Sequence, residues 1–188
     1  MKKILGLTIA FMLLISMGGI GTWAYFQDTE TSTDSVLAAG TLDLKTDDVD
    51  GVTQTLYASN LKPGDSVLGS ITLKNTGTVA GSTLDLAFSY VESDDIPNPT
   101  NMSADATAAV IQVTTLTYAA SSILPVDGTN ANGWIDIQDL KEANLTGQAG
   151  INGGLSEDFV ITVQLRGDTS SDFQSDGITI TMTFTLNQ

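Results

Sequence analysis

From Ile178 to Leu186 the chain alternates without a break: Ile178, Ile180, Met182, Phe184 and Leu186 are apolar, and Thr179, Thr181, Thr183 and Thr185 stand between them. A period of two puts the first set on one face of an extended strand and the second on the other, as a half-buried strand requires. The pattern recurs where Phe159, Ile161, Val163 and Leu165 alternate with Val160, Thr162, Gln164 and Arg166. It recurs again at Leu84, Leu86, Phe88 and Tyr90, and at Val67, Ile71 and Leu73. Residues 40–45, 54–58 and 110–118 are shorter candidates, the last with an ambiguous inner face. Turn chemistry separates them: Lys62-Pro63-Gly64-Asp65, Asn75-Thr76-Gly77, Asn152-Gly153-Gly154 and Asp176-Gly177. About seven or eight short strands so punctuated predict an all-β antiparallel sandwich, immunoglobulin-like or jelly roll. Residues 136–143 read as one short helix in a loop insertion, with Asp136 as N-cap and Ile137, Leu140 and Trp134 on one face. Residues 94–108, with Pro97, Pro99 and many small side chains, read as an exposed loop.

The first 24 residues read as a targeting segment. Lys2 and Lys3 give a charged start, residues 4–20 are apolar and uncharged, and Thr22 and Ala24 are small residues at the −3 and −1 positions of a signal-peptidase site before Tyr25. The alternative is a retained anchor, although the run is short for a bilayer core and carries Gly6, Gly18 and Gly19. The expected organisation is therefore a cleaved signal peptide (1–24), an extended segment (25–37) and a sandwich domain (38–188).

Charge and composition remove most enzyme classes. The chain has 22 acidic residues, seven basic ones, no His and no Cys. Without Cys there are no disulfides, thiolate nucleophiles or thiolate-bound metals; without His there is no Ser-His-Asp triad and no imidazole-bound catalytic zinc. The targeting segment holds two of the basic residues and no acidic one, which leaves five against 22 and a formal charge of −17. Nucleic acid is excluded as a partner by that charge, and self-association should tighten when salt screens it.

Residues 25–37 carry Thr29, Thr31 and Thr33 at alternate positions, followed by Val36 and Leu37. The stretch is able to extend but has too little apolar surface to fold by itself. It is either a loose leader or a strand in search of a sheet edge, to be added by main-chain pairing to a neighbouring subunit.

The run Gly21-Thr22-Trp23-Ala24-Tyr25-Phe26-Gln27-Asp28, followed by Ala39-Gly40-Thr41-Leu42-Asp43-Leu44, resembles the start of the TasA/camelysin family. So do Asn60-Leu61-Lys62-Pro63-Gly64-Asp65 and, near the end, Asp172-Phe173-Gln174-Ser175-Asp176 and Thr183-Phe184-Thr185-Leu186-Asn187-Gln188. The likeness lies at the two ends and leaves residues 92–155 unmatched. It implies a jelly roll, a leader cut by a SipW-type signal peptidase, and secretion into the extracellular matrix or onto the cell surface. It further implies assembly of fibres in which residues 25–37 of one subunit (Tyr25, Phe26, Thr29, Thr31, Thr33, Val36, Leu37) complete the sheet of the next, with Phe26 as anchor. Other matrix fibres or polymers are possible partners. The family also includes a named metalloprotease, an activity that a chain without imidazole does not support.

Several smaller signals have competing readings. Counted from Gly128, Asn130, Asn132, Asp136 and Asp139 fall at ligand positions of a calcium loop, but Gly128 replaces the usual first Asp and Asp139 the bidentate Glu. The same residues read as a polar turn entering a capped helix, so no cofactor other than this possible calcium is expected. Asp47, Asp48 and Asp50 form an acidic hairpin loop. Asn101 and Asn144 begin glycosylation sequons, Arg166-Gly167-Asp168 is an adhesion-type tripeptide, and Trp134 and Tyr90 are candidates for a sugar platform. The sequence predicts a non-enzymatic, self-polymerising filament subunit; the alternative is a monomeric surface- or matrix-binding sandwich, calcium-stabilised.

Overall fold

The computed structural model describes residues 27–30, 42, 44–47, 61–94, 100–128 and 130–188. The candidate strand at 54–58 and the loop Asp48 to Asp50 lie outside them. Nine strands are described: β1 (Gln27–Glu30), β2 (Leu44–Thr46), β3 (Ser66–Asn75), β4 (Thr83–Glu92), β5 (Ile111–Tyr118), β6 (Ser121–Ser122), β7 (Leu145–Ala149), β8 (Ser156–Leu165) and β9 (Ile178–Asn187). They form two antiparallel sheets, in the orders β1-β9-β4-β7 and β2-β3-β8-β5-β6. The first strand lies beside the last, and successive strands change sheet from β1 to β2, β3 to β4, β4 to β5, β6 to β7, β7 to β8 and β8 to β9. That order is a jelly roll and excludes the immunoglobulin-like alternative.

The alternation seen in the sequence becomes the core. Leu84, Leu86, Phe88 and Tyr90 of β4 and Ile180, Met182, Phe184 and Leu186 of β9 are buried against Ile71, Leu73, Phe159, Ile161 and Val163 of the facing sheet. Phe159 sits at the centre, edge-on to Phe184 at 5.2 Å and tilted against Phe88 at 6.5 Å. The ambiguity at 110–118 is a β-bulge: the register of β5 on β8 shifts between Val113 and Thr115, so Val113 and Leu116 are both buried although three positions apart.

The expected helix is α2 (Ile137–Glu142), capped by Asp136. The expected loop at 94–108 is corrected in part by a second helix, α1 (Ala104–Val110). Ser103 caps it, its hydroxyl accepting from the Ala106 N–H at 3.3 Å. Small side chains read as a loop, yet alanine behind a Ser cap is the best helix former. Lys141 of α2 lies 4.5 Å over the ring of Tyr90, and the Tyr90 hydroxyl donates to Asp105 of α1 at 2.6 Å. Burial and that hydrogen bond hold the Tyr90 phenol above its usual range, while the bond from Tyr90, and then the Lys141 charge, hold Asp105 below its own.

Asn75, fully buried at the end of β3, locks the turn that follows. Its amide donates to the carbonyls of Val79 at 2.8 Å and Ile151 at 2.9 Å, and its side-chain oxygen accepts from the Gly77 N–H at 3.0 Å. Asn75→Ala takes this partner from the Gly77 N–H and the Val79 carbonyl, while the Ile151 carbonyl keeps the Gly81 N–H, and should cost about 2–4 kcal/mol in urea unfolding; a change below about 0.5 kcal/mol would show that water replaces the amide.

Tyr118, only 2% exposed, bridges the sheets by donating its hydroxyl to the Ala149 carbonyl at 2.8 Å. Burial pushes its phenol from 10 up to about 12. Between those pH values the unfolded chain has released a proton that the folded chain keeps, so stability falls as pH rises. The loss approaches about 2–3 kcal/mol at the top of the window. The alkaline limb of a stability–pH curve should be shallower in Tyr118→Phe than in the parent.

Candidate functional site

Strand β9 has ten residues, and its outer edge is met by β1 over four of them. The pairs are Gln27 with Asn187, Asp28 with Leu186, Thr29 with Thr185 and Glu30 with Phe184. Such a ladder is made by main-chain N–H and C=O groups and is blind to most side-chain identities. The other flank of β9 is paired along its whole length, from Thr83 opposite Asn187 to Glu92 opposite Ile178. Strand β1 therefore docks on the edge of the strand that ends the fold and touches the short edge strand β2 of the other sheet. Of the expected donor residues, Thr29 lies in β1, while Tyr25, Phe26, Thr31, Thr33, Val36 and Leu37 lie outside the described residues, as do Thr22 and Ala24. The signal missed in the sequence was the receiving edge: β9 was legible as a strand, but nothing in its alternation shows which flank is filled.

The structure brings Asn130, Asn132, Asp136 and Asp139 together and adds Asp127. Asp136, fully buried, accepts from the side-chain amides of Asn130 at 2.9 Å and Asn132 at 2.7 Å, and from the Asp139 N–H at 3.1 Å. Asp139 accepts from the N–H groups of Gly128 at 2.8 Å and Asp136 at 3.0 Å, closing a capping box. Asp127 accepts from the Gly133 N–H at 2.8 Å. Burial pushes the Asp139 carboxyl up; the N–H groups of Asp136 and Gly128 oppose this, and the charges of Asp136 and Asp127 add to it. Both oxygens of Asp136 and of Asp139 thus face donors, the chemistry of a pinned loop. Among the described residues no group of three or more Asp or Glu side chains is arranged to hold a metal ion.

The remaining signals fall on the surface. Asn101 is exposed in a left-handed conformation (φ +46°). Asn144 precedes β7 and accepts a hydrogen bond from the Thr146 hydroxyl at 2.7 Å. Gly167 and Asp168 of the adhesion-type tripeptide are exposed, but the Arg166 guanidinium is engaged, binding Asp168 at 2.7 Å and lying 5.0 Å over the Trp134 ring. Tyr90 is 8% exposed beneath Lys141, so it forms no platform with Trp134. No described helix is long and apolar enough to cross a membrane.

A family model described as camelysin metallo-endopeptidase matches residues 1–188. A protein of Bacillus subtilis (strain 168) described as the major biofilm matrix component is 37% identical over 91 residues, which are 48% of this chain and 33% of that relative. The matched stretch thus spans about a third of the relative's length.

Proposed function

The chain belongs to the camelysin metallo-endopeptidase family, and from that premise we propose that it is a structural subunit of an extracellular filament rather than a peptidase. The residues do not fit the metal that the family description implies. There is no His or Cys in the chain, and the carboxylates gathered at Asp136 and Asp139 already accept from N–H groups. The likeness to a biofilm matrix component supports a matrix role.

The observation that carries the reading is the docking of β1 on β9. Continued without a break, the register that sets Thr29 opposite Thr185 brings Thr31 opposite Thr183, Thr33 opposite Thr181 and Val36 opposite Ile178. Residues 27–36 are then the right length for the whole of β9, and cross-strand Thr pairs suit an outer sheet face. In the proposed filament that ladder is made by the segment of the preceding subunit after residues 1–24 are removed by a SipW-type peptidase. Each open edge is filled by the next copy, in a head-to-tail contact that does not close on itself.

The absence of cysteine makes a clean test. Mature Thr29→Cys and Thr185→Cys chains, one carrying a tag, are mixed and oxidised. Strand exchange predicts a mixed disulfide dimer in good yield. Only cysteine dimers of like with like, or none, would mean that the segment docks on its own subunit.

A further inference from the structure

Trp134 lies between Gly133, whose φ is +89°, and the capped helix α2. Trp134 is 42% exposed and Arg166 lies over one face of its ring, which leaves the rim and the opposite face as the parts able to meet solvent. The Trp134 backbone N–H donates to Asn132 Oδ1 at 2.9 Å, which fixes the turn, and the Arg166 guanidinium that stacks on the ring is itself held by Asp168 at 2.7 Å. Asp168, with a side chain 67% exposed, stands beside the stack. Two side-chain atoms here, Arg166 Nε and Asp127 Oδ1, are buried without a partner among the described residues. The other oxygen of Asp127 accepts from Gly133 N–H, which places this carboxylate at the root of the Trp134 turn.

We propose that Trp134, Arg166, Asp168 and Asp127 form a binding site for a hexopyranose unit of an uncharged or amine-bearing polysaccharide. A pyranose ring has an apolar C–H face and a polar rim. It would lay that face on the free side of the indole while its hydroxyls meet the exposed Asp168 carboxylate at the rim, the mix of an apolar wall and few directed polar groups by which small ligands are held. A nucleobase would also stack, but its phosphates, like the carboxylates of a uronic acid polymer, are repelled by a formal charge of −17 on the chain without residues 1–24. None of the four residues belongs to the β1–β9 ladder, so this ligand would be bound by monomer and filament alike.

The chain beginning at Tyr25 keeps every described element and contains Trp134 as its one tryptophan, the other being Trp23. Its tryptophan fluorescence, excited at the red edge where tyrosine does not absorb, therefore reports on this site alone. Titration at about 0.1 M salt, where the charge of the chain is not screened away, with cellohexaose and with a glucosamine hexamer is expected to give a saturable change with a Kd of about 1 mM or tighter for at least one of them, and none with oligogalacturonate. The tighter of the two identifies the source. By calorimetry, Trp134→Ala should weaken binding at least about tenfold and Trp134→Phe only a few-fold, with the melting curves of both variants close to the parent's. No saturable change with either neutral or amine-bearing hexamer, equal binding of oligogalacturonate, or full affinity in Trp134→Ala overturns the proposal.

Discussion

Deleting residues 25–35 is expected to abolish filaments while leaving a folded sandwich. The described core is built from β2 to β9, and all of its buried hydrophobic side chains lie outside the deleted stretch. The truncated chain should therefore melt in one cooperative step. It keeps the receiving edge of β9 but has no strand to donate, so in a mixture with intact mature chain it should also stop growth at one end. Filament length, counted by negative-stain electron microscopy, should fall as its proportion rises. Assembly of the intact chain should strengthen with salt, since at about 1 M the Debye length is about 3 Å and the self-repulsion of an acidic surface is screened. Normal filaments from the truncated chain would overturn the strand-docking reading, whereas loss of filaments without the capping effect would place the contact elsewhere on residues 25–35.

The largest expected effect on the fold itself comes from Phe159→Ala. Phe159 is fully buried, with aromatic partners on both β4 and β9. Removing the ring forfeits its transfer free energy and leaves a cavity between sheets that cannot close without bending, a loss of about 3–5 kcal/mol. Against a typical stability of about 5–15 kcal/mol, that is a large fraction. The urea midpoint should drop with little change in slope, and Tm should fall by about 10 °C. Phe159→Leu, which keeps most of the volume, should cost under half as much. Because Phe184 lies on β9, loosening Phe159 should weaken the receiving strand as well. A loss below about 1 kcal/mol would mean that the ring is not packed between the sheets as described.

The strands that were legible in the sequence are those with one face buried and one polar: β3, β4, β8 and β9. Strand β7 was not, because it is an edge strand with Leu145 as its one fully buried side chain and with Gly147 in a left-handed conformation, where the register on β4 shifts. The inner face of β5 was obscured by its bulge, which breaks the period that reading relies on. Helix α1 was hidden by small residues that serve helix and loop alike. At the acidic loop, spacing placed Asn130, Asn132, Asp136 and Asp139 in one neighbourhood. It could not show that the carboxylates turn toward N–H groups, because that direction depends on where α2 and the turn before it are held. The N-terminal segment was legible as a stretch able to extend, but without an address. The partner, β9, is more than a hundred residues away in the chain, and main-chain pairing leaves no mark in side-chain pattern.

The antiparallel β1–β9 register also has a mechanical meaning. In a filament joined this way, tension along its axis would be carried from one subunit to the next through a strand lying lengthwise against its neighbour. Pulled along its length, such a ladder is loaded in shear: its hydrogen bonds share the force and must fail together, whereas a strand peeled from its end loses them one at a time. A matrix built from these joints would resist stretching well beyond what the modest strength of any single hydrogen bond suggests, and it would yield first where the strand is pried sideways.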